Sequence, residues 1–258
     1  MPPPYPWLAT DFDGVLVDSV PMKSEAFVTV LGVSGAEAEA VRAYHHSLGG
    51  INRRPKLKHC WEQILKRGKL PEDTLDELCR HFSEVVIQQV IECPEIDGAT
   101  AFLEACQKQG RPLYVISGTT QGELQHIIAA RGWTRYFAGI YGYPAEKAPT
   151  LRQLKAAAPG PICYLGDALS DADAAHSAGV DFYAVNMADP TPHFCAFRNL
   201  RELLERGTLG VSISDRSDLY DRSELADDVK SNLLEHRDAD HREAPFDDAG
   251  NGGGEGEA

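Results

Sequence analysis

Short apolar runs of strand length recur along the chain: "WLATDF" (7–12), "PLYVIS" (112–117), "AGIYGY" (138–143), "PICYLGD" (161–167) and "DFYAVN" (181–186). Between the later runs, apolar residues fall near i, i+3 and i+4 in "GATAFLEACQKQG", "TQGELQHIIAARG", "KAPTLRQLKAAA" and "SDADAAHSAG", a helical pattern that glycine closes in several cases. Alternating strand and helix predicts a parallel sheet with helices on both faces, an α/β, Rossmann-like three-layer core.

From residue 21 to 92 only helical patterns occur: "MKSEAFVTVLG", "GAEAEAVRAYHHSLGG", "RRPKLKHCWEQILKRG" and "PEDTLDELCRHFSEVVIQQVIE". An all-α insert directly after the first strand predicts a cap over the active end of the sheet. The expected organisation is therefore a core of residues 1–20 and 93–206, a helical cap of residues 21–92 and a tail of residues 207–258. "FRNLRELLERG" is the last core element expected. Beyond it apolar density falls and the chain ends in "DDAGNGGGEGEA", so the tail is expected to be largely disordered, with one candidate helix in "RSELADDVKSNLLEH".

Composition agrees with a globular protein: 258 residues at 43% hydrophobic content can bury a substantial core. No window approaches the roughly 18 consecutive apolar residues of a membrane span. The start "MPPPYPW" has neither the basic region nor the apolar core of a signal peptide, so a soluble, cytoplasmic protein is expected. The six cysteines form no CxxC pair and no zinc-finger spacing, and are expected as reduced thiols. Charge is distributed unevenly: of the net −14, residues 207–258 carry 14 acidic and five basic side chains. Conversely, eight Lys or Arg against the single acid Glu62 lie between Val41 and Leu70, a local field that favours either an anionic small molecule or simply a solvated helix face.

Open parallel sheets bind ligands beyond the carboxyl ends of their strands. Those ends carry Asp11 and Asp13 after "WLAT", Ser117 after "YVI", and Gly166 with Asp167 after "CYL". Two carboxylates closing an apolar strand call for compensation, by a cation or through a reaction.

"DFDGVLVDS", "ISGT", Lys147 in "YPAEKAPTL" and "GDALSDADAA" resemble, in order and context, the four motifs of the haloacid dehalogenase (HAD) superfamily, and the helical insert resembles its C1 cap. The resemblance implies the HAD fold and phosphoryl chemistry. Asp11 would attack a phosphoryl group to form an aspartyl phosphate. Mg2+ would be held by Asp11, the main-chain carbonyl of Asp13 and an acid of the fourth motif, Asp167. Asp13 would act as general acid and base; relatives that cleave carbon–halogen bonds lack an aspartate there. Gly14 would let the chain approach the phosphate. Ser117, with Gly118 and Thr119 opening the next helix, would bind the phosphoryl group, and Lys147 would neutralise its developing charge. Asp171 would orient metal-bound waters or Lys147, whereas Asp173 is read as a helix-start acid and Asp18 as a polar anchor at the exit to the cap. In the cap, "YHHSLGGINRRPKLKH" resembles the GGxxR-type segment of some C1-capped phosphatases; Arg53 is the best candidate for gripping substrate, with His45 behind it.

The implied activity is a Mg-dependent phosphatase acting on a small phosphorylated metabolite, a sugar phosphate or phospho-acid of phosphoglycolate phosphatase or β-phosphoglucomutase type. Neither nucleic acid nor membrane is expected as a partner, and oligomeric state stays open. Three alternatives remain: a phosphomutase with the same core residues, a phosphonate hydrolase, which would require a cap lysine such as Lys23, Lys56 or Lys58 to form a Schiff base, and a non-catalytic binding protein on the same fold.

Overall fold

A computed structural model describes residues 5–207; the predicted tail lies almost entirely outside them. The sheet has six parallel strands: β1 (Trp7–Thr10), β2 (Leu113–Thr120), β3 (Gly139–Tyr143), β4 (Ile162–Gly166), β5 (Asp181–Val185) and β6 (Cys195–Phe197), in the order β3-β2-β1-β4-β5-β6. β6 extends the sheet beyond the five predicted strands. At three residues it is too short to leave a periodic signal. β1 is central, with Leu8 opposite Leu113 of β2 and Cys163 of β4. Leu8 and Ala9 are fully buried, as expected of a strand covered on both faces.

The order reverses at β1, since β2 lies on one side of it and β4 on the other, so the crevice beyond their carboxyl ends is the switch point of the sheet. Helices α5 (Ala99–Lys108), α6 (Gln121–Ala130), α7 (Lys147–Ala157), α8 (Leu169–Ala178) and α9 (Leu200–Glu205) flank it. The expected end of β2 at Ser117 needs correction. The strand runs on to Thr120 after a register shift against β3, and α6 begins only at Gln121.

Residues 20–92 fold as four helices, α1 (Val20–Leu31), α2 (Gly35–Ser47), α3 (Arg53–His59) and α4 (Glu72–Glu92), with a π-helical turn at Cys60–Ile64. Their apolar stripes meet around Phe27 and Phe82, whose ring centroids are 4.8 Å apart, with Val41, Leu57 and Leu75 buried alongside. The two crossings to the sheet domain run side by side: Asp18 N–H donates to Pro94 O (2.9 Å) and Ile96 N–H to Leu16 O (3.1 Å). The end of α4 is held by Arg131, just past the end of α6, whose guanidinium donates to Val90 O, Ile91 O and Cys93 O at 3.0, 2.7 and 3.1 Å, satisfying carbonyls that a helix terminus leaves open. No helix among the described residues is long and apolar enough to cross a membrane, and no disulfide joins the six cysteines.

Candidate active site

Asp11 follows β1 directly, its N–H bonded to Leu165 O of β4 (2.8 Å). The residue is 1% exposed. Oδ1 accepts the Phe12 N–H (2.7 Å) and Oδ2 meets Lys147 Nζ (2.7 Å). Lys147 opens α7 and makes a second ion pair with Asp171 Oδ1 (2.5 Å). Asp171, wholly buried in α8, also accepts from Tyr164 Oη (2.9 Å) and, through Oδ2, from Ala168 N–H (3.2 Å). Burial alone would push the Lys147 ammonium down, but Asp11 and Asp171 outweigh it and hold the amine above its ordinary range. The lysine is thus fixed as a cation between two carboxylates.

Asp11, Asp167 and Asp171 each offer an oxygen within 4.8 Å of the others. Burial pushes the Asp11 carboxyl up to about 7, against Lys147 and reinforced by Asp171 and Asp13. Burial, then repulsion from Asp171 and Asp11, raises Asp167 well above the carboxylate range. Asp167 takes no hydrogen bond or ion pair from the described residues. Three crowded acids with one lysine between them leave negative charge uncompensated, and their hard oxygens suit a divalent cation such as Mg2+. Gly14 shapes this cradle. At φ +77° it occupies a conformation that favours glycine, and a Cβ there would overlap the Asp167 carboxylate. Close approach to Asp167 is what this structure requires of Gly14. The turn bonds Gly14 N–H to Val17 O (2.8 Å) and Val17 N–H to Phe12 O (3.3 Å), which leaves the Asp13 carbonyl out of the pairing.

Asp13 lies in a ring of donors. Oδ1 accepts from Ser19 Oγ (2.5 Å) and pairs with Lys23 Nζ (2.6 Å), while Oδ2 accepts from Thr119 Oγ1 (3.0 Å) and Ser117 Oγ (3.4 Å). Burial opposes ionisation, but Lys23, Ser19 and Thr119 win and hold the carboxyl below its usual range. The extension of β2 corrects the roles expected of Gly118 and Thr119. Neither residue opens a helix, and the Thr119 N–H is already bonded to Ser117 Oγ (3.1 Å).

The cap closes on this centre through its Gly49–Gly50 turn. Gly49 O accepts from Ser170 Oγ (2.5 Å), and Asn52 Nδ2 donates to Gly118 O (2.8 Å). A Cβ on Gly118 would come within 2.7 Å of Gly50 O, and one on Gly50 within 2.6 Å of Lys147 Nζ, so glycines permit the contact from both sides. Arg53 lines the cavity, with its guanidinium already engaged. Its guanidinium pairs with Glu123 of α6, donates to Ser83 Oγ (2.7 Å) and stacks over Phe82 (4.9 Å), tying cap to core. His45 lies against Phe27, with ring centroids 4.7 Å apart. Burial, then Lys56 and His46, pushes its imidazole down to about 2, so it is neutral. Between cap and sheet lies a cavity of about 490 Å³, with Asp11, Asp13 and Asp167 on the sheet side and Phe82, Val86 and Lys56 on the cap side.

Sequence reasoning passed over Ser19, Tyr164 and Glu123, and it weighed Lys23 only as a Schiff-base lysine, not as the partner of Asp13. Ser19 and Lys23 were within reach of it, being six and ten residues past Asp13 where the chain turns back over the strand end. Tyr164 and Glu123 carry no local signal, since only packing brings them to their partners. Asp173 is not among the clustered acids; burial raises its carboxyl to about 6.

The comparisons with known proteins agree with this arrangement. A family model described as haloacid dehalogenase-like hydrolase matches residues 9–185. No curated protein sequence matches the chain significantly. Among solved structures, a Haemophilus somnus protein described as a predicted phosphoglycolate phosphatase is 21% identical, with TM-score 0.64 over 80% of this chain and 100% of that one. A haloacid dehalogenase-like hydrolase from Bacteroides fragilis is 20% identical, with TM-score 0.63 over 77% and 99%. The HAD hydrolase YfnB of Bacillus subtilis, whose structure holds magnesium, is 17% identical, with TM-score 0.59 over 80% and 99%. With the family model covering most of the chain and the fold shared with these structures, the protein belongs to the haloacid dehalogenase-like hydrolases.

Proposed function

We propose that the protein is a Mg-dependent phosphatase that hydrolyses a small phosphorylated metabolite through an aspartyl-phosphate intermediate. The observation that carries this reading is the pairing of Asp11 with Asp13 beyond β1. One carboxylate is held by Lys147 beside the partnerless Asp167, and the other lies two residues on within a ring of donors. Structural neighbours described as phosphoglycolate phosphatases support the same reading.

Asp11 is the nucleophile, its backbone anchored to β4 so that the carboxylate faces the crevice. Asp11 and Asp167, with the Asp13 carbonyl, would hold Mg2+; both oxygens of Asp171 are engaged, which assigns it to orienting Lys147. Bound there, the cation would screen the repulsion between carboxylate and phosphate and polarise the phosphoryl group. Lys147 and Ser117 neutralise and position the phosphoryl oxygens. Asp13 donates a proton to the leaving alkoxide and later takes one from the attacking water. Its ion pair with Lys23 favours the ionised form, so before the first transfer Asp13 takes up a proton, from the substrate monoanion or from water, as Lys23 turns from Asp13 toward the phosphate. Cap closure through the Gly49–Gly50 turn excludes bulk water during that transfer.

The test is release of inorganic phosphate from a panel of phosphate monoesters with Mg2+, for the parent and Asp11→Asn. Release by the parent and its loss in the variant are expected. An inert parent, or an Asp11→Asn variant as active as the parent, defeats the reading.

A further inference from the structure

Lys56 is a buried cation without a counter-charge. It lies on α3, is 3% exposed and lines the cavity between cap and sheet. No carboxylate among the described residues forms an ion pair with it; its recorded hydrogen-bond partner is the neutral ring of His45, whose Nδ1 lies 3.4 Å from Nζ. Burial, then Lys23 and Lys147, lowers the Lys56 ammonium to about 7, while Asp13 and Asp167 act the other way, so the residue is within electrostatic reach of the reacting centre. Placing an ammonium in such surroundings carries a desolvation penalty that an apolar side chain would avoid. Arg53, the other buried cation of this helix, is already bound to Glu123 and Ser83. Phe27, Phe82, Val86 and Val90 give the cap side of the cavity an apolar share, beside His46 and Ser47.

We propose that Lys56 receives a second anionic group on the substrate, a carboxylate or second phosphate carried by the leaving group at a distance from the scissile phosphoryl. The inference rests on the phosphatase reading and narrows its substrate class to phosphate esters with a remote anion, rather than neutral sugar phosphates. His45 accepts from Nζ and so fixes the ammonium toward the cavity. Lysine acts as a point charge and therefore suits either oxyanion.

Calorimetric binding of non-hydrolysable ligands in the presence of Mg2+ tests this: ω-carboxyalkyl phosphonates and bisphosphonates of graded length against alkyl phosphonates of matched length. For one chain length, the parent is expected to bind a doubly anionic ligand about tenfold or more tighter than its neutral-tailed match, as a charge-assisted contact requires. Lys56→Met brings that ratio close to one, while Lys58→Met, at an exposed position on the same helix, keeps it. The carboxylate and bisphosphonate arms identify the anion. Lys56→Met also unfolds at the same or a higher temperature than the parent, because it removes a buried charge; a merely structural lysine would lower the midpoint. Equal binding of both ligand classes by the parent, or a ratio that survives in Lys56→Met, overturns the inference. Preference in binding without phosphate release from the corresponding esters keeps the anion site and sinks the phosphatase reading. Phosphate release without preference does the reverse.

Discussion

Asp11, Asp167 and Asp171 form a site whose metal-free state is electrostatically costly, and that strain is measurable. A carboxyl raised toward 7 binds its proton more tightly in the folded state than in the unfolded one. The Asp11 contribution to metal-free stability should therefore be fully present below the unfolded carboxylate range and be lost as pH rises through about 7. Thermal midpoints of chelator-treated protein between about pH 4 and 7 measure this. Added Mg2+ should flatten the dependence, and Asp11→Asn should reduce it. Asp167→Asn should weaken Mg2+ binding in a calorimetric titration and lower kcat by about 100-fold or more. Lys23 acts on the other carboxylate. Removing its charge in Lys23→Met should raise the Asp13 pKa and move the limb of the pH–rate profile set by Asp13 to higher pH.

Among the elements, the cap segment from Gly49 to Lys56 is the most consequential, and its residues do different jobs. Gly50 has φ +72°, and any Cβ would press on Lys147 Nζ. Gly50→Ala should thus reduce kcat/KM by about tenfold or more while the protein stays folded by circular dichroism. Arg53 and Glu123 form a part-buried latch between α3 and α6. If the latch governs closure, Arg53→Gln and Glu123→Gln should impair kcat/KM alike, and the double variant should be no worse than either, a coupling read by a double-mutant cycle. A substrate-gripping Arg53 would instead leave Glu123→Gln close to the parent. The partner of this guanidinium lies 70 residues away along the chain, and no local pattern could name it.

Across the whole molecule, every residue assigned to the site falls between Asp11 and Asp171, inside the described region. A chain ended after Gly207 should therefore keep its phosphatase activity and thermal midpoint, checked by comparing kcat/KM and melting of the two forms. The switch point of the sheet sets the geometry: β1 and β4 are neighbours, so Asp11 and Asp167, 156 residues apart, face one another across a single strand spacing.

Sequence alone was sufficient for the alternation of strand and helix, the helical insert and the acids at the strand ends, because these are written in local periodicity and in motifs of fixed spacing. It identified Asp11, Asp13, Ser117, Lys147 and Asp167 as candidates, and the fold gathers them at one end of the sheet. Tertiary structure alone decided how their charges are shared. Lys23 on Asp13, Asp171 on Lys147 with Tyr164 donating to Asp171, Gly14 making room for Asp167, and Arg53 turned to Glu123 are all contacts between elements. Likewise, "RRPKLKH" reads as a run of similar cations. Only folding exposes Lys58, spends Arg53 and buries Lys56 without an acid, because burial and pairing depend on what packs opposite a side chain and not on its neighbours in sequence.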